Sequence, residues 1–438
     1  MKVLLCSQYY GDEGLVFPAG ICFPLGLAYI ASMLKEHDVR VFDANIAKNP
    51  RGELSELLSS HEPDVVGISL RNIDLLNPPR TGVSFYEHFK TMLRLIRKKA
   101  PSSKIIVGGT AFSVFSEQIM ARNKEIDFGV VSDGETTIAN LLRNFDNPKK
   151  VKNLLLQSEK GVEFTGRGEL ADFDLLPFPS RELFDLTKYI EEPFSMNVQS
   201  KRGCGFKCLY CAEPFLGRYT IQLRSAKKVV DEIEELVNNY GVKSFWFADS
   251  IFNFPLEHAR DICREISRRK IEVEWLAYFR EDFLNLRFAK EAVDAGCRSF
   301  EFHTDGTCDQ TLAVLNKGIK ISEIERTIDI ARRIENAKVG YNLFYDLPRG
   351  NVRNLIALAR FTVKATLKCR QKLAYLAFTR MRIYPHTLLY EIALREGKIG
   401  KDTDLLRPVF YEAAFSKIQD VCMLGLEKLS SFLLKSFK

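Results

Sequence analysis

The sequence predicts an α/β protein built as an open parallel sheet, then a partial barrel, then a short helical region. Three observations carry this. Short apolar runs alternate with amphipathic stretches along most of the 438 residues, the pattern of successive βα units. A proline-punctuated interval, DFDLLPFPSRELFD at 172–185, interrupts the alternation near the middle. Just after it resumes, KRGCGFKCLYC at 201–211 places Cys204, Cys208 and Cys211 within eight positions.

In the first half, KVLLC (2–6) is a buried-strand candidate and PLGLAYIASMLK (24–35) has helical periodicity. VRVFD (39–43), VVGIS (65–69), IIVG (105–108) and FGVV (128–131) read as further strands, with helical segments between them, notably 84–99. Ligands of such sheets sit beyond the carboxyl ends of the strands, so SLRNID (69–74), GGT (108–110) and SDGE (132–135) are the loops to watch. In the second half, strands are predicted at 196–200, 244–249, 273–278, 299–303, 338–345 and 375–384, with helices such as 225–240 and 322–335 between them. Six units suit a partial barrel of TIM type, since a full eightfold barrel needs more chain. The expected boundaries are a Rossmann-like sheet over 1–145, a linker over 146–193, the partial barrel over 194–400 and a helical region over 401–438.

Composition narrows the function classes. Hydrophobic residues make up 46%, with 32 Phe and 15 Tyr, enough for a real core and too much for disorder. The net charge of +7 is mild and scattered. Runs such as Arg97-Lys98-Lys99 fall at the ends of predicted helices, where the dipole favours cations, so a nucleic-acid stripe is not indicated. No apolar run approaches the ~18 residues that span a bilayer. MKVLLCSQYYGDEG at the start lacks signal-peptide design and reads as a first strand. Seven of the ten cysteines are scattered singly, which is no disulfide framework and places the protein in a reducing cytoplasm. Those seven (Cys6, Cys22, Cys263, Cys297, Cys308, Cys369 and Cys422) read most simply as small buried hydrophobes.

The cysteine triplet asks for another explanation. A structural zinc site needs four ligands, and the nearest additions, His258 and Cys263, lie about fifty residues on. Three thiolates on one tight loop can hold three corners of a 4Fe–4S cubane and leave the fourth iron open. Gly203 and Gly205 would let the loop wrap, and Lys201, Arg202 and Lys207 would offset thiolate charge.

CGFKCLYC resembles the C-x-x-x-C-x-x-C motif of radical S-adenosylmethionine (SAM) enzymes, including the aromatic Tyr210 before the last cysteine. Its place after strand 196–200 is also similar to that family. NVQSKRGCGFKCLYC, GR (217–218), RSAKKVVDEIEEL, FWFADSIFNFP, DAGCRSFEFHTDG, VLNKGI, NLFYDLPRG and RIYPHTLLYEIALREGKI resemble the subfamily with an N-terminal cobalamin-binding domain. So do PLGLAYIASMLKEHDVRVFDA, VGISLRN, VGGT and DGE in the first half. The resemblance implies that Cys204, Cys208 and Cys211 ligate three irons and that SAM chelates the fourth. One electron, from a low-potential donor such as a flavodoxin or ferredoxin, then cleaves SAM to a 5′-deoxyadenosyl radical. Tyr210, Asp249, Ser250, Glu301 and Arg380 would line the SAM site. The alternatives are a helix N-cap for Asp249, a structural ion pair for Glu301, and paired or solvated roles for Arg380 and Arg382. Cys308 and Tyr384 are the candidates for direct chemistry, with His303 and His386 nearby in sequence.

The same resemblance places cobalamin against Ser69, Leu70, Arg71, Asn72, Gly108, Gly109, Thr110, Gly134 and Glu135. The chain departs from many cobalamin proteins in lacking D-x-H-x-x-G, and His37, His61 and His88 lack that context. Either the domain has lost cobalamin, or it binds it without a protein ligand under cobalt; the SLRN loop favours the second. Arg71 would lie nearest the metal, since a permanent cation cannot ligate; its alternative is an ion pair with Asp74. The implied activity is methyl transfer to an unactivated carbon. The alternatives are cyclisation, ring contraction or oxidation without methyl transfer, and a non-catalytic module holding zinc. The substrate could be a small molecule, a lipid or a peptide. The apolar tail LEKLSSFLLKSF is expected to pack on the barrel, because it lacks the dense basic face of a membrane-surface helix.

Overall fold

The computed structural model describes residues 1–10, 21–76, 82–217, 219–413 and 416–436; Arg218 of the GR string, the end of the N-terminal string and the last residues of the tail lie outside them. The chain divides into two compact units, Met1–Leu75 with Val83–Met196, and Leu76–Gly82 with Asn197–Lys438.

The first unit holds β1 (Lys2–Cys6), β2 (Asp38–Phe42), β3 (Val65–Ser69), β4 (Lys104–Gly108), β5 (Phe128–Val130), β6 (Leu154–Ser158) and β7 (Gly161–Phe164). They form one sheet in the order β2-β1-β3-β4-β5-β6-β7. The first five run parallel, and their cores (Leu4, Leu5, Val66, Ile105, Val107) are fully buried, as sheets covered by helices on both faces require. Helix Tyr86–Lys99 shows how the cover is made: Tyr86, Phe89, Met92, Leu93 and Ile96 fall on one stripe and all are buried. The order reverses between β1 and β3, so the loops after these two strands flank the crevice of a doubly wound sheet.

The segment 146–193, read from sequence as a linker, is part of this unit. Its residues add β6 and β7 as an antiparallel extension of the sheet. Beyond them Phe173, Leu176 and Tyr189 are buried, and the Tyr189 hydroxyl donates to Asp43 at 2.7 Å. The prolines mark turns within a packed segment rather than a flexible join.

The second unit holds β8 (Met196–Val198), β9 (Ser244–Phe247), β10 (Glu274–Phe279), β11 (Cys297–Asp305), β12 (Lys338–Asp346) and β13 (Leu373–Arg380), in sequence order in one sheet. From β9 to β13 every neighbouring pair is parallel, the partial barrel expected. Side-chain alternation sorts its two faces. Trp275, Ala277, Phe279, Phe300, Phe302, Tyr341 and Phe378 point to the helix side and are buried. On the other face the register aligns Tyr278, Glu301, Gly340 and Tyr375 in one row, with Trp246, His303 and Asn342 alongside. Those residues are polar or amphipathic and several retain solvent access, so this face is not filled as a core.

The C-terminal helix Ser416–Ser436 is fastened to the ends of β12 and β13. Asp346 accepts from the Ala413 amide at 2.9 Å and from the Ser416 hydroxyl at 2.5 Å. Asp420 takes Tyr345 at 2.9 Å and Arg380 at 2.6 Å. Among the described residues, no helix is long and apolar enough to cross a membrane.

Candidate active site

The cysteine loop leaves the end of β8 through Ser200 and Lys201. Asp249, just past β9, ties down that exit: its carboxylate accepts the amides of Ser200 at 2.8 Å and Lys201 at 3.1 Å and the Ser200 hydroxyl at 2.5 Å. Helix Leu256–Arg269 starts seven residues later with Pro255 as its N-cap, so Asp249 is not the helix cap. Lys201 also departs from expectation. It is 2% exposed and turns into the core, where its ammonium donates to the carbonyls of Phe252 at 2.5 Å and Phe254 at 3.2 Å. Arg202 bonds Gln199, and Lys207 lies out over the Tyr219 ring. Gly203 is required where it stands: its φ is +81°, and a Cβ would meet the Thr220 carbonyl oxygen at 1.9 Å. Gly205 carries no such constraint.

Burial pushes the Lys201 pKa down from 10.5 to about 8. Between those values the unfolded chain holds a proton that the folded chain has released, so this site's contribution to stability rises with pH across that window. Below it the cost of burying the ammonium is present in full. Lys201→Met is therefore expected to flatten the rise in wild-type stability from pH 8 to 10.5, read as the difference between urea melts of the two proteins.

The three thiols are half-buried. Burial raises the pKa of each, Cys211 to about 12, and the Cys208 charge contributes at both Cys204 and Cys211. Opposing this, the Phe206 and Glu213 amides donate to Cys204 and Cys211, and the cations of Lys317 and Arg280 act on Cys208. So the compensating charge comes from the end of β10 and from VLNKGI, not from Lys201 or Lys207. Leu209, between the second and third cysteines, donates its amide to Leu315 and accepts from the Leu389 amide, both at 2.9 Å. The Tyr210 hydroxyl donates to Asp305 at 2.5 Å, and its ring meets Phe344 of β12 edge-on at 4.7 Å.

Among the described residues, no three His, Cys, Asp or Glu side chains converge as a single metal ion requires. A cubane takes a separate iron per thiolate, so three cysteines on one loop need not converge on a single point to hold it. His258 is bonded to the Arg224 carbonyl, and Cys263 is packed in the core, so neither completes a zinc site.

On the open face of the barrel, Glu301 is 7% exposed. One of its oxygens accepts from Ser299 at 2.5 Å; the other, Oε2, is buried beside Tyr375, whose hydroxyl acts on the carboxylate. Burial raises its pKa, with the Ser299 and Tyr375 hydroxyls opposing. Gly340 makes the space: a Cβ there would lie 2.4 Å from Oε2 and 2.5 Å from the Tyr375 ring. His303 is exposed on this face, with its ring 4.5 Å from the Tyr278 ring.

Other expected site residues lie elsewhere. Ser250 is exposed. Arg380 shares the helix-side parity of Phe378 and pairs with Asp420 at 2.6 Å and Glu412 at 3.3 Å. Arg382 donates to the carbonyls of Ile383, Leu405 and Val409, and its guanidinium lies 4.9 Å from the Tyr384 ring. His386 stacks on Phe215 at 3.9 Å. The Cys308 sulfur caps helix Asp309–Val314, in contact with Thr311 and Asn354, both at 3.5 Å.

In the first unit, the SLRN and GGT loops are knitted together. Leu70 is fully buried; its amide donates to the Gly108 carbonyl at 2.8 Å and its carbonyl accepts from Ala111 and Phe112. Gly109 has φ +101°, and a Cβ would lie 2.7 Å from the Leu70 oxygen. Asn72 exchanges two hydrogen bonds with Gln8, which follows β1. Leu70 therefore serves as an anchor, while Ser69, Arg71, Asn72, Gly108 and Gly109 are half-open and Thr110 is exposed. The Arg71 cation acts on Tyr10, whose pKa burial nonetheless pushes up to about 12. Glu135 is buried at the first turn of helix Glu135–Arg143, with Gly134 just before it. His37 and His61 precede β2 and β3 at the amino ends of the sheet, and His88 meets Tyr9 edge-on.

Comparison with known proteins agrees with this layout. Residues 17–142 match the B12 binding domain family and residues 198–359 the Radical SAM superfamily. An uncharacterized methyltransferase of Pyrococcus horikoshii is 26% identical over 385 residues, covering 85% of this chain and 78% of its own. An anaerobic magnesium-protoporphyrin IX monomethyl ester cyclase of Cereibacter sphaeroides is 26% identical over 355 residues, covering 76% of this chain and 55% of its own. Among solved structures, the radical S-adenosylmethionine methyltransferase TsrM of Kitasatospora setae superposes with a TM-score of 0.78 at 20% identity, covering 94% of this chain and 80% of its own. A three-cysteine loop at the head of a six-stranded partial barrel, preceded by a doubly wound sheet, is thus accounted for: the chain belongs to the radical SAM enzymes that carry a B12-binding domain.

Proposed function

We propose that this enzyme is a cobalamin-dependent methyltransferase acting on an unactivated carbon of a small organic substrate. The observation that carries the reading is the pairing of a three-cysteine loop with a buried carboxylate, Glu301, held by the Ser299 and Tyr375 hydroxyls on the open face of the same barrel. Cys204, Cys208 and Cys211 would hold a 4Fe–4S cluster, and Glu301 would accept a hydrogen bond from SAM. Asp249 acts behind the site, fixing the loop's exit from β8. Arg380 fastens the C-terminal helix. The half-open strip of small and polar residues at the β1/β3 switch point would take cobalamin, with Arg71 toward its lower face. Together these groups supply, when bound, a carbon-centred radical and a transferable methyl group. A low-potential flavodoxin- or ferredoxin-like protein would provide the electron, in a reducing cytoplasm.

Anaerobic reconstitution tests the reading. Iron, sulfide and cobalamin should be retained, and turnover should give S-adenosylhomocysteine, 5′-deoxyadenosine and a product carrying label from the SAM methyl group. Formation of 5′-deoxyadenosine without label transfer would favour the second reading, radical cyclisation or oxidation, which the similarity to the cyclase supports. Glu301→Gln, which swaps a charge-assisted hydrogen bond for a neutral one, is expected to weaken SAM binding about tenfold to a hundredfold. Arg71→His is expected to place a nitrogen under cobalt, seen as nitrogen splitting in the electron paramagnetic resonance (EPR) spectrum of the Co(II) form. An unchanged spectrum would remove Arg71 from the lower face.

A further inference from the structure

Five residues separate the three cysteines, and four of them are held from behind by one set of groups that supplies no thiol. The Arg280 guanidinium lies 3.8 Å from the Phe206 ring centroid. Asn316 Nδ2 donates to the Lys207 carbonyl at 2.7 Å. The Leu209 amide donates to Leu315 at 2.9 Å. Tyr210 donates to Asp305, whose Oδ2 also takes Lys317 Nζ at 2.6 Å. The set is internally linked: Arg280 Nη2 donates to the Lys317 carbonyl at 2.7 Å, and Lys317 Nζ donates to the His303 carbonyl. Only Gly205 lies outside it.

Both cations are deeply buried, with Arg280 3% and Lys317 6% exposed. Burying them is costly unless negative charge faces them. Asp305 and Asp282 supply some, at 2.6 Å from Lys317 and 2.8 Å from Arg280, and the buried Glu281 carboxyl also acts on Lys317. Beyond these, both cations act on the Cys208 thiol, and a cluster with its thiolates would place further negative charge at this loop.

We propose that the brace of Arg280, Asp305 and residues 315–317 positions the cysteine loop for its cluster, and that the opposed charges of Lys317 and Asp305 set how readily the cluster accepts an electron. These are positioning residues, and the inference rests on the cluster reading above. A fixed positive charge beside the cluster favours its reduced state; a fixed negative charge disfavours it.

The test uses the full chain, reconstituted anaerobically with iron and sulfide, with iron and sulfide counted per chain and the reduced cluster followed by EPR through a redox titration. Lys317→Gln should lower the reduced-to-oxidised ratio at a fixed potential about tenfold, a displacement of about 59 mV for one electron. Asp305→Asn should displace it in the opposite direction, the double variant should fall between them, and Lys317→Arg should restore the wild-type value. Loaded single variants that leave the midpoint unmoved, or shift it the same way, would overturn the proposal. If Lys317→Gln fails to fold or load, the sign of the Asp305→Asn shift decides alone. A wild-type chain that takes up neither iron nor sulfide would instead overturn the cluster reading itself.

Discussion

Replacing Cys208 by Ala is expected to abolish turnover and leave no 4Fe–4S signature, while the chain stays folded. Of the three cysteines, Cys208 stands between the other two in sequence and feels both Lys317 and Arg280. Without it two thiolates remain, too few to hold three irons of a cubane. The side chain is half-buried and small, so its truncation should cost the fold little beside the loss of the cluster. The loop's backbone should persist, because Leu209 is bonded on both sides by Leu315 and Leu389. Iron and sulfide analysis with far-ultraviolet circular dichroism separates the two effects. A Cys208→Ala protein that keeps wild-type iron, sulfide and 5′-deoxyadenosine formation would remove this residue from the site.

Asp249→Ala is expected to destabilise the second unit by about 3–5 kcal/mol, the range for removing one partner of a buried charged network. The carboxylate is 2% exposed and satisfies two amides and one hydroxyl, while the Lys201 ammonium is held nearby in the core. Truncation would strand the two amides and the hydroxyl at once and remove the negative charge that acts on the ammonium. Asp249→Asn keeps an acceptor for the Ser200 amide and should recover part of the loss. Urea melts of the three proteins give the comparison, and a loss below about 1 kcal/mol for Ala, the size of an ordinary single hydrogen bond, would show that this junction is not under load.

Much of the architecture was legible because apolar strands and amphipathic helices alternate with clear periods, and the cysteine spacing marks its loop unaided. The extension β6–β7 was not, because LLLQS and GVEF are short and the prolines after them dominate the local pattern. The face of the barrel that Glu301 takes was legible from alternation within SFEFH. The same alternation, counted from the buried Phe378, would have placed Arg380 on the helix side rather than on the open face. Lys201 misled by its nearness in sequence to the cysteines; its burial depends on Asp249 and the Phe252 and Phe254 carbonyls, which only the fold brings together. Lys317 and Arg280 were missed for the converse reason, since each is remote in sequence from the thiols it influences.

The fastening of helix Ser416–Ser436 has a practical consequence for handling the protein. Among the described residues β13 is the last strand of its sheet, and only just past it does the chain pair again, Met381 and Ile383 with 409–411, so its outer edge is one that has to be protected. A chain cut at residue 413 would lose Ser416 and Asp420, leaving the Asp346 carboxylate and Arg380 short of partners and baring apolar surface around Met423's seat. Such a shortened chain is expected to precipitate on expression.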